Sequence, residues 1–103
     1  MKVFINDKES LLNHLNTHKE VIKSFGVKTV ALFGSFAKGT SIKPDSDIDL
    51  LIDFEVDKKS FDNFMNLSFY LEEQLGRKVD LVTPQSLSKF IGPHILKQVE
   101  HVF

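Results

Sequence analysis

The sequence predicts a mixed α+β domain, a small sheet of three to four strands flanked by helices. Three observations carry that expectation. Short apolar runs at about 28–33, 47–54 and 79–82 are bounded by turn-forming residues and read as strands. Segments on either side carry apolar residues at helical spacing. The resulting order of helices, strand, strand, helix, strand, helix fits a small sheet packed against helices.

The first helix has candidate starts at Asp7 or Ser10, with Leu11, Leu12 and Leu15 on its apolar side; Lys2 to Ile5 before it reads as a short strand or an extended arm. Thr17-His18-Lys19-Glu20 matches a capping box, so a break near Asn16 and a second helix from about His18 to Phe25 are expected. Val21, Ile22 and Phe25 would face inward, and Gly26 would end the helix in a left-handed conformation. Strand one, Lys28 to Phe33, is apolar at nearly every position, as in a strand covered on both faces. A polar loop containing Gly39 and Pro44 then leads to strand two, Asp47 to Phe54. Val56 to Lys59 is a charged connector, and Ser60 caps a helix from Phe61 to Leu75 whose apolar positions Phe61, Phe64, Met65, Leu71 and Leu75 follow helical spacing. Gly76 stops it, Val79 to Val82 is strand three, and Pro84 ends that strand. Leu87, Phe90 and Ile91 suggest a short helical turn, broken by Gly92-Pro93. His94 to Glu100 reads as a last helix burying Ile95, Leu96 and Val99, and the closing His101, Val102 and Phe103 fray unless they pack down.

At 103 residues the chain reads as a single domain, 1–103, with room for one core. With 13 basic and 14 acidic residues and no Lys/Arg block, it lacks the electrostatic footprint of a nucleic-acid binder. It has no cysteine, which excludes disulfides, thiolate metal sites and cysteine nucleophiles. Neither a signal peptide nor a membrane span is suggested, so the cytoplasm is the expected location. Ten phenylalanines imply an aromatic core or a partner-binding surface. His14, His18, His94 and His101 form no metal motif and read as surface or partly packed residues, and Tyr70 as a helix-surface or core aromatic.

The chemistry concentrates at residues 29–54. Asp47 and Asp49 are two apart in a strand, so their side chains share a face. Asp80 sits in the equally apolar Lys-Val-Asp-Leu-Val stretch of strand three. Unpaired carboxylates in such surroundings cost several kcal/mol. If strand three lies beside strand two, the three converge, and an oxygen-only donor set suits Mg²⁺. Two such ions can clamp the attacking and leaving oxygens of a displacement at phosphorus. Gly34-Ser35, directly after strand one, would let backbone amides and a hydroxyl approach a phosphate.

The stretches LFGSFAKG, DSDIDLLIDF and GRKVDLV together resemble the minimal nucleotidyltransferase (MNT) domains of the DNA polymerase β-like superfamily, over roughly residues 20–103. The closing TPQSLSKFIGPHILKQVEHVF is similar to the C-terminal part of MntA-type antitoxins. The resemblance implies a polymerase β-like core in which Gly34 and Ser35 hold the nucleotide triphosphate. It implies further that Asp47 and Asp49 bind two Mg²⁺ ions, and that Asp80 completes the metal site and helps activate the acceptor hydroxyl. The implied reaction transfers AMP from ATP to a tyrosine of a partner HEPN-domain toxin, which is thereby silenced. So small a chain would leave the partner to bring its own acceptor. The eleven residues from Phe36 to Ser46 make this loop one longer than in many members, an insertion that costs little. Lys38 and Lys43 within it read as solvated charges. Alternatives are a module that neutralises its partner by binding alone, and a transferase acting on a small molecule.

Overall fold

The computed structural model describes residues 5–39, 42–43, 45–87 and 92–103, with the backbone alone at 94 and 96. Its helices are α1 (Lys8–Thr17), α2 (Lys19–Ser24), α3 (Gly34–Lys38), α4 (Phe61–Leu75) and α5 (Gly92–Gln98), and its strands β1 (Val27–Phe33), β2 (Ile48–Phe54), β3 (Val79–Val82) and β4 (Glu100–His101). Short 3₁₀ turns occupy Val56–Lys58 and Pro84–Ser86. The strands form one sheet in the order β3-β2-β1-β4. β1 is antiparallel to β2 and to β4, whereas β2 and β3 run parallel, joined by α4 as the crossover. The expected mixed α+β class is the observed one. Among the described residues no helix is long and apolar enough to cross a membrane.

Residues directly opposite in a ladder share a face, and the register sorts the sheet into two unlike surfaces. Val30 opposes Ile52, Leu32 opposes Leu50, and Ile48 opposes Val79. All six are buried, in one core with Leu11 and Leu15 of α1, Ile22 of α2, Phe36 of α3, and Leu67, Leu71 and Leu75 of α4. The opposite face carries Phe33 beside Asp49 and Asp49 beside Asp80. Helices α1 to α4 therefore supply the apolar layer under one face, and the acids stand on the other.

Local chemistry explains most boundaries. Asp7 caps α1, accepting from the Ser10 amide at 2.8 Å, and Ser60 caps α4, accepting from the Asn63 amide at 3.1 Å. Gly76 ends α4 with φ 67°. The break between α1 and α2 falls at His18, but the expected capping box is not formed. The Thr17 hydroxyl instead donates back to the Asn13 carbonyl at 2.8 Å, and His18 starts α2 without a side-chain cap.

Four further expectations need correction. Phe61 does not face inward; it is 76% exposed, and the buried stripe of α4 runs through Leu67, Leu71 and Leu75 with Phe64 packed alongside. Val21 likewise points outward, leaving Ile22 as the buried residue of α2. α5 starts at Gly92 rather than at the expected His94, and Glu100 leaves the helix to join β4. Pro93 fits early in α5 because a first turn has no use for its missing amide proton. His14 is buried, not a surface residue: it stacks on His18 with ring centroids 4.1 Å apart, and burial and the charge of His18 lower its pKa. The chain end is not frayed. The Val102 amide donates to the Val30 carbonyl at 2.8 Å, and the Val30 amide donates to the Phe103 carbonyl at 2.9 Å. The expectations for Lys2 to Phe4, Pro44, Phe90 and Ile91 fall outside the described residues.

The two stripes of α4 make opposite predictions. Leu67→Ala, at a fully buried site, should lower unfolding free energy by about 2–5 kcal/mol in denaturant titrations. Phe61→Ala should change it by no more than about 0.5 kcal/mol. Equal losses would mean that the core is misassigned.

Candidate functional site

The site is built where β1 ends and β2 begins. β1 delivers the chain to Phe33, whose neighbour across the ladder is Asp49. The chain must leave the sheet here, and Gly34 makes the turn with φ 73°, a conformation that L side chains rarely adopt. Space gives a second reason for glycine. A Cβ built on Gly34 would lie 2.2 Å from Oδ2 of Asp49. The Gly34 backbone and the Asp49 carboxylate are thus in contact, and nothing larger than hydrogen fits between them.

The residues after Gly34 form a helical turn rather than the expected loop. α3 runs from Gly34 to Lys38 and closes at left-handed Gly39, φ 71°. Phe36, fully buried, anchors this turn in the core, while Ser35 is half-buried at its start. Lys38 and Lys43 are exposed, in keeping with their reading as solvated charges.

The parallel register of β2 and β3 sets Asp49 opposite Asp80. Asp47 immediately precedes β2, half-buried, with Oδ2 4.0 Å from Nζ of Lys78. Exposed ion pairs of this kind contribute little. The structure therefore brings together Gly34, Asp49 and Asp80, with Asp47 two residues from Asp49 along the chain. The Asp49 carboxyl is pushed up to about 6, first by burial, then by the charges of Asp80 and Asp47. A carboxylate so burdened favours a proton or a cation. Among the described residues, no three acidic or histidine side chains stand in a ready-made ligand cluster. The oxygen-only donors nevertheless match a hard divalent cation in type, and the raised affinity of Asp49 for positive charge is what such a site would show.

Arg77 escaped the sequence reading. Its guanidinium bonds to the carbonyls of Lys43 and Ser46 at the entry to Asp47 and lies over the ring of Phe36. Only its place in Gly-Arg-Lys-Val-Asp, three residues before Asp80, could have pointed to it.

A raised pKa has a definite stability consequence. The folded chain binds the Asp49 proton more tightly than the unfolded chain does, so that contribution is full below about pH 3.8 and is lost as pH rises through about 6. At pH 7.5, without metal, Asp49→Asn should therefore stabilise the protein by about 1–2 kcal/mol, allowing for solvent screening. Thermal melts should show the gain shrinking below pH 6 and vanishing near pH 4. A variant less stable than wild type at pH 7.5 would contradict the crowding of acids.

Comparison with known proteins agrees with this architecture. The nucleotidyltransferase domain family matches residues 15–101. Protein adenylyltransferase MntA of Thermococcus cleftensis is 40% identical over 95 residues, 91% of this chain and 94% of its own length. A solved structure described provisionally as a minimal nucleotidyltransferase superposes with a TM-score of 0.79 at 30% identity, covering 91% of this chain and 94% of that one. A chain of the Shewanella oneidensis complex between a tri-AMPylated HEPN toxin and an MNT antitoxin superposes with a TM-score of 0.66. At 20% identity, over 93% of this chain and 71% of that one, it shares the fold alone. The family match spans most of the chain and the MntA relative aligns over nearly its full length, so the chain belongs to the nucleotidyltransferase domain family and is a nucleotidyltransferase.

Proposed function

We propose that this enzyme transfers AMP from ATP to a tyrosine hydroxyl of a HEPN-family toxin, and so acts as the antitoxin of the pair. The observation that carries the reading is the pairing of Asp49 with Asp80 across β2 and β3, with the Gly34 turn against the Asp49 carboxylate. Acids able to hold cations and a backbone turn that can meet an anion then lie together where β1 ends and β2 begins, with β3 alongside. The name of the MntA relative and the composition of the Shewanella complex support the reaction and the partner class.

On this reading Gly34 and Ser35 bind the triphosphate through backbone amides and the serine hydroxyl. Asp47 and Asp49 hold two Mg²⁺ ions, and Asp80 completes the donor set. When bound, Mg²⁺ supplies positive charge against the negative charge of the phosphates. The tyrosine oxygen bonds to the α-phosphorus as the bond from that phosphorus to the bridging oxygen breaks. Pyrophosphate leaves with the electron pair, and the tyrosine proton passes to the Asp80 carboxylate. The raised proton affinity of Asp49 is consistent with a site that is complete only when cations are bound.

Incubation with α-labelled ATP, Mg²⁺ and the product of the neighbouring gene should label a tyrosine of that protein. Asp47→Ala with Asp49→Ala should lower the rate by about a hundredfold or more. Undiminished labelling would overturn the ligand assignment. A variant lacking all three acids that still neutralises the toxin in cells would replace transfer by binding as the antitoxin activity.

A further inference from the structure

Arg77 follows the left-handed Gly76 that ends α4 and precedes Lys78 and β3. Among the described residues, its guanidinium reaches several separate parts of the chain. Nε donates to the Ile5 carbonyl at 2.7 Å, and Nη1 donates to the carbonyls of Lys43 and Ser46 at 2.9 and 3.1 Å. Its Cζ lies 5.1 Å from the centroid of the Phe36 ring. Lys43 and Ser46 are also bonded to each other: the Ser46 amide donates to the Lys43 carbonyl at 3.0 Å, and the Lys43 amide to Ser46 Oγ at 2.9 Å. One residue past Asp47, the Ile48 amide donates to the Lys78 carbonyl at 3.0 Å.

These contacts bracket the candidate site. Ser46 directly precedes Asp47, and Phe36 directly follows Ser35. One side chain therefore ties the entry to the first acid to the helical turn that starts at Gly34. A planar fork with several donors and a stacking face can do this, whereas a lysine offers one compact charge. Arg77 lies beyond the end of α4, whose buried residues are Leu67, Leu71 and Leu75, and its bonds to Ile5, Lys43 and Ser46 reach other segments.

We propose that Arg77 is a positioning residue for the transferase reaction, fixing Asp47 relative to the Gly34–Ser35 turn so that metal and nucleotide contacts form in one geometry. This rests on the site assignment proposed above. Reactive geometry is demanding enough that a misplacement of about 1 Å costs about a hundredfold in rate.

The test combines exchange and kinetics on Arg77→Gln and Arg77→Lys. Hydrogen exchange of the metal-free protein should show faster exchange of the Lys43, Ser46 and Ile48 amides in Arg77→Gln. Protection across residues 67–75 should match wild type. Protection of the three amides unchanged overturns the proposal, and so does loss of protection across 67–75, which would make Arg77 a residue of the global fold. In AMP transfer, Arg77→Gln should lose about a hundredfold in kcat with a smaller change in KM for the partner protein. Arg77→Lys should recover only part of that loss; full kcat in either variant overturns the proposal. If wild type itself transfers no AMP, the functional reading fails separately, and the exchange result still decides whether Arg77 orders the approach to Asp47.

Discussion

The contact between the Gly34 backbone and the Asp49 carboxylate is the constraint on which the rest of the site depends. It requires a residue without Cβ where the chain turns with positive φ, and it places the turn out of β1 against the strand that bears the acids. Asp49 then meets Asp80 through the parallel register of β2 and β3. Burial and neighbouring charge together leave it short of positive charge. The polar turn and the acid cluster are one structure with a shared carboxylate.

The sheet makes this cluster tolerable. One face is committed to the core, with Val30, Leu32, Leu50 and Ile52 against the helices, and supplies the apolar burial that stabilises the fold. The other face is free to carry acids whose mutual repulsion works against stability. Phe36 joins the two regions, since its ring is in the core while its backbone belongs to the turn after Gly34. Arg77 lies over that ring and holds the far end of the same loop, so the approach to the acids is braced from the core side.

Sequence reasoning reached the fold class, α4, β3 and the placement of Asp49 beside Asp80 because each leaves a strong local signal. Carboxylates in apolar strands are costly enough to need a reason, and Ser60 and Gly76 delimit α4 by chemistry that does not depend on tertiary structure. The failures have equally physical causes. α3 is five residues long, too short for a period to show, and it opens on a glycine that reads as a turn. β4 is a two-residue strand, Glu100–His101, that exists only because β1 offers it a free edge. Phe61 and Leu67 both suit an apolar stripe, and only packing against the sheet decides which is buried. Arg77 acts through backbone carbonyls distant in sequence, for which a sequence has no marker.

The most direct test is the titration of Asp49 itself, followed by carboxyl ¹³C chemical shifts in metal-free protein. The crowded carboxylate described here should titrate near 6. In Asp80→Asn its midpoint should fall, because one of the neighbouring charges that raises it has been removed. A wild-type midpoint near the ordinary aspartate value of about 4, unmoved by Asp80→Asn, would contradict the account, because Asp49 would then be neither desolvated nor paired with Asp80.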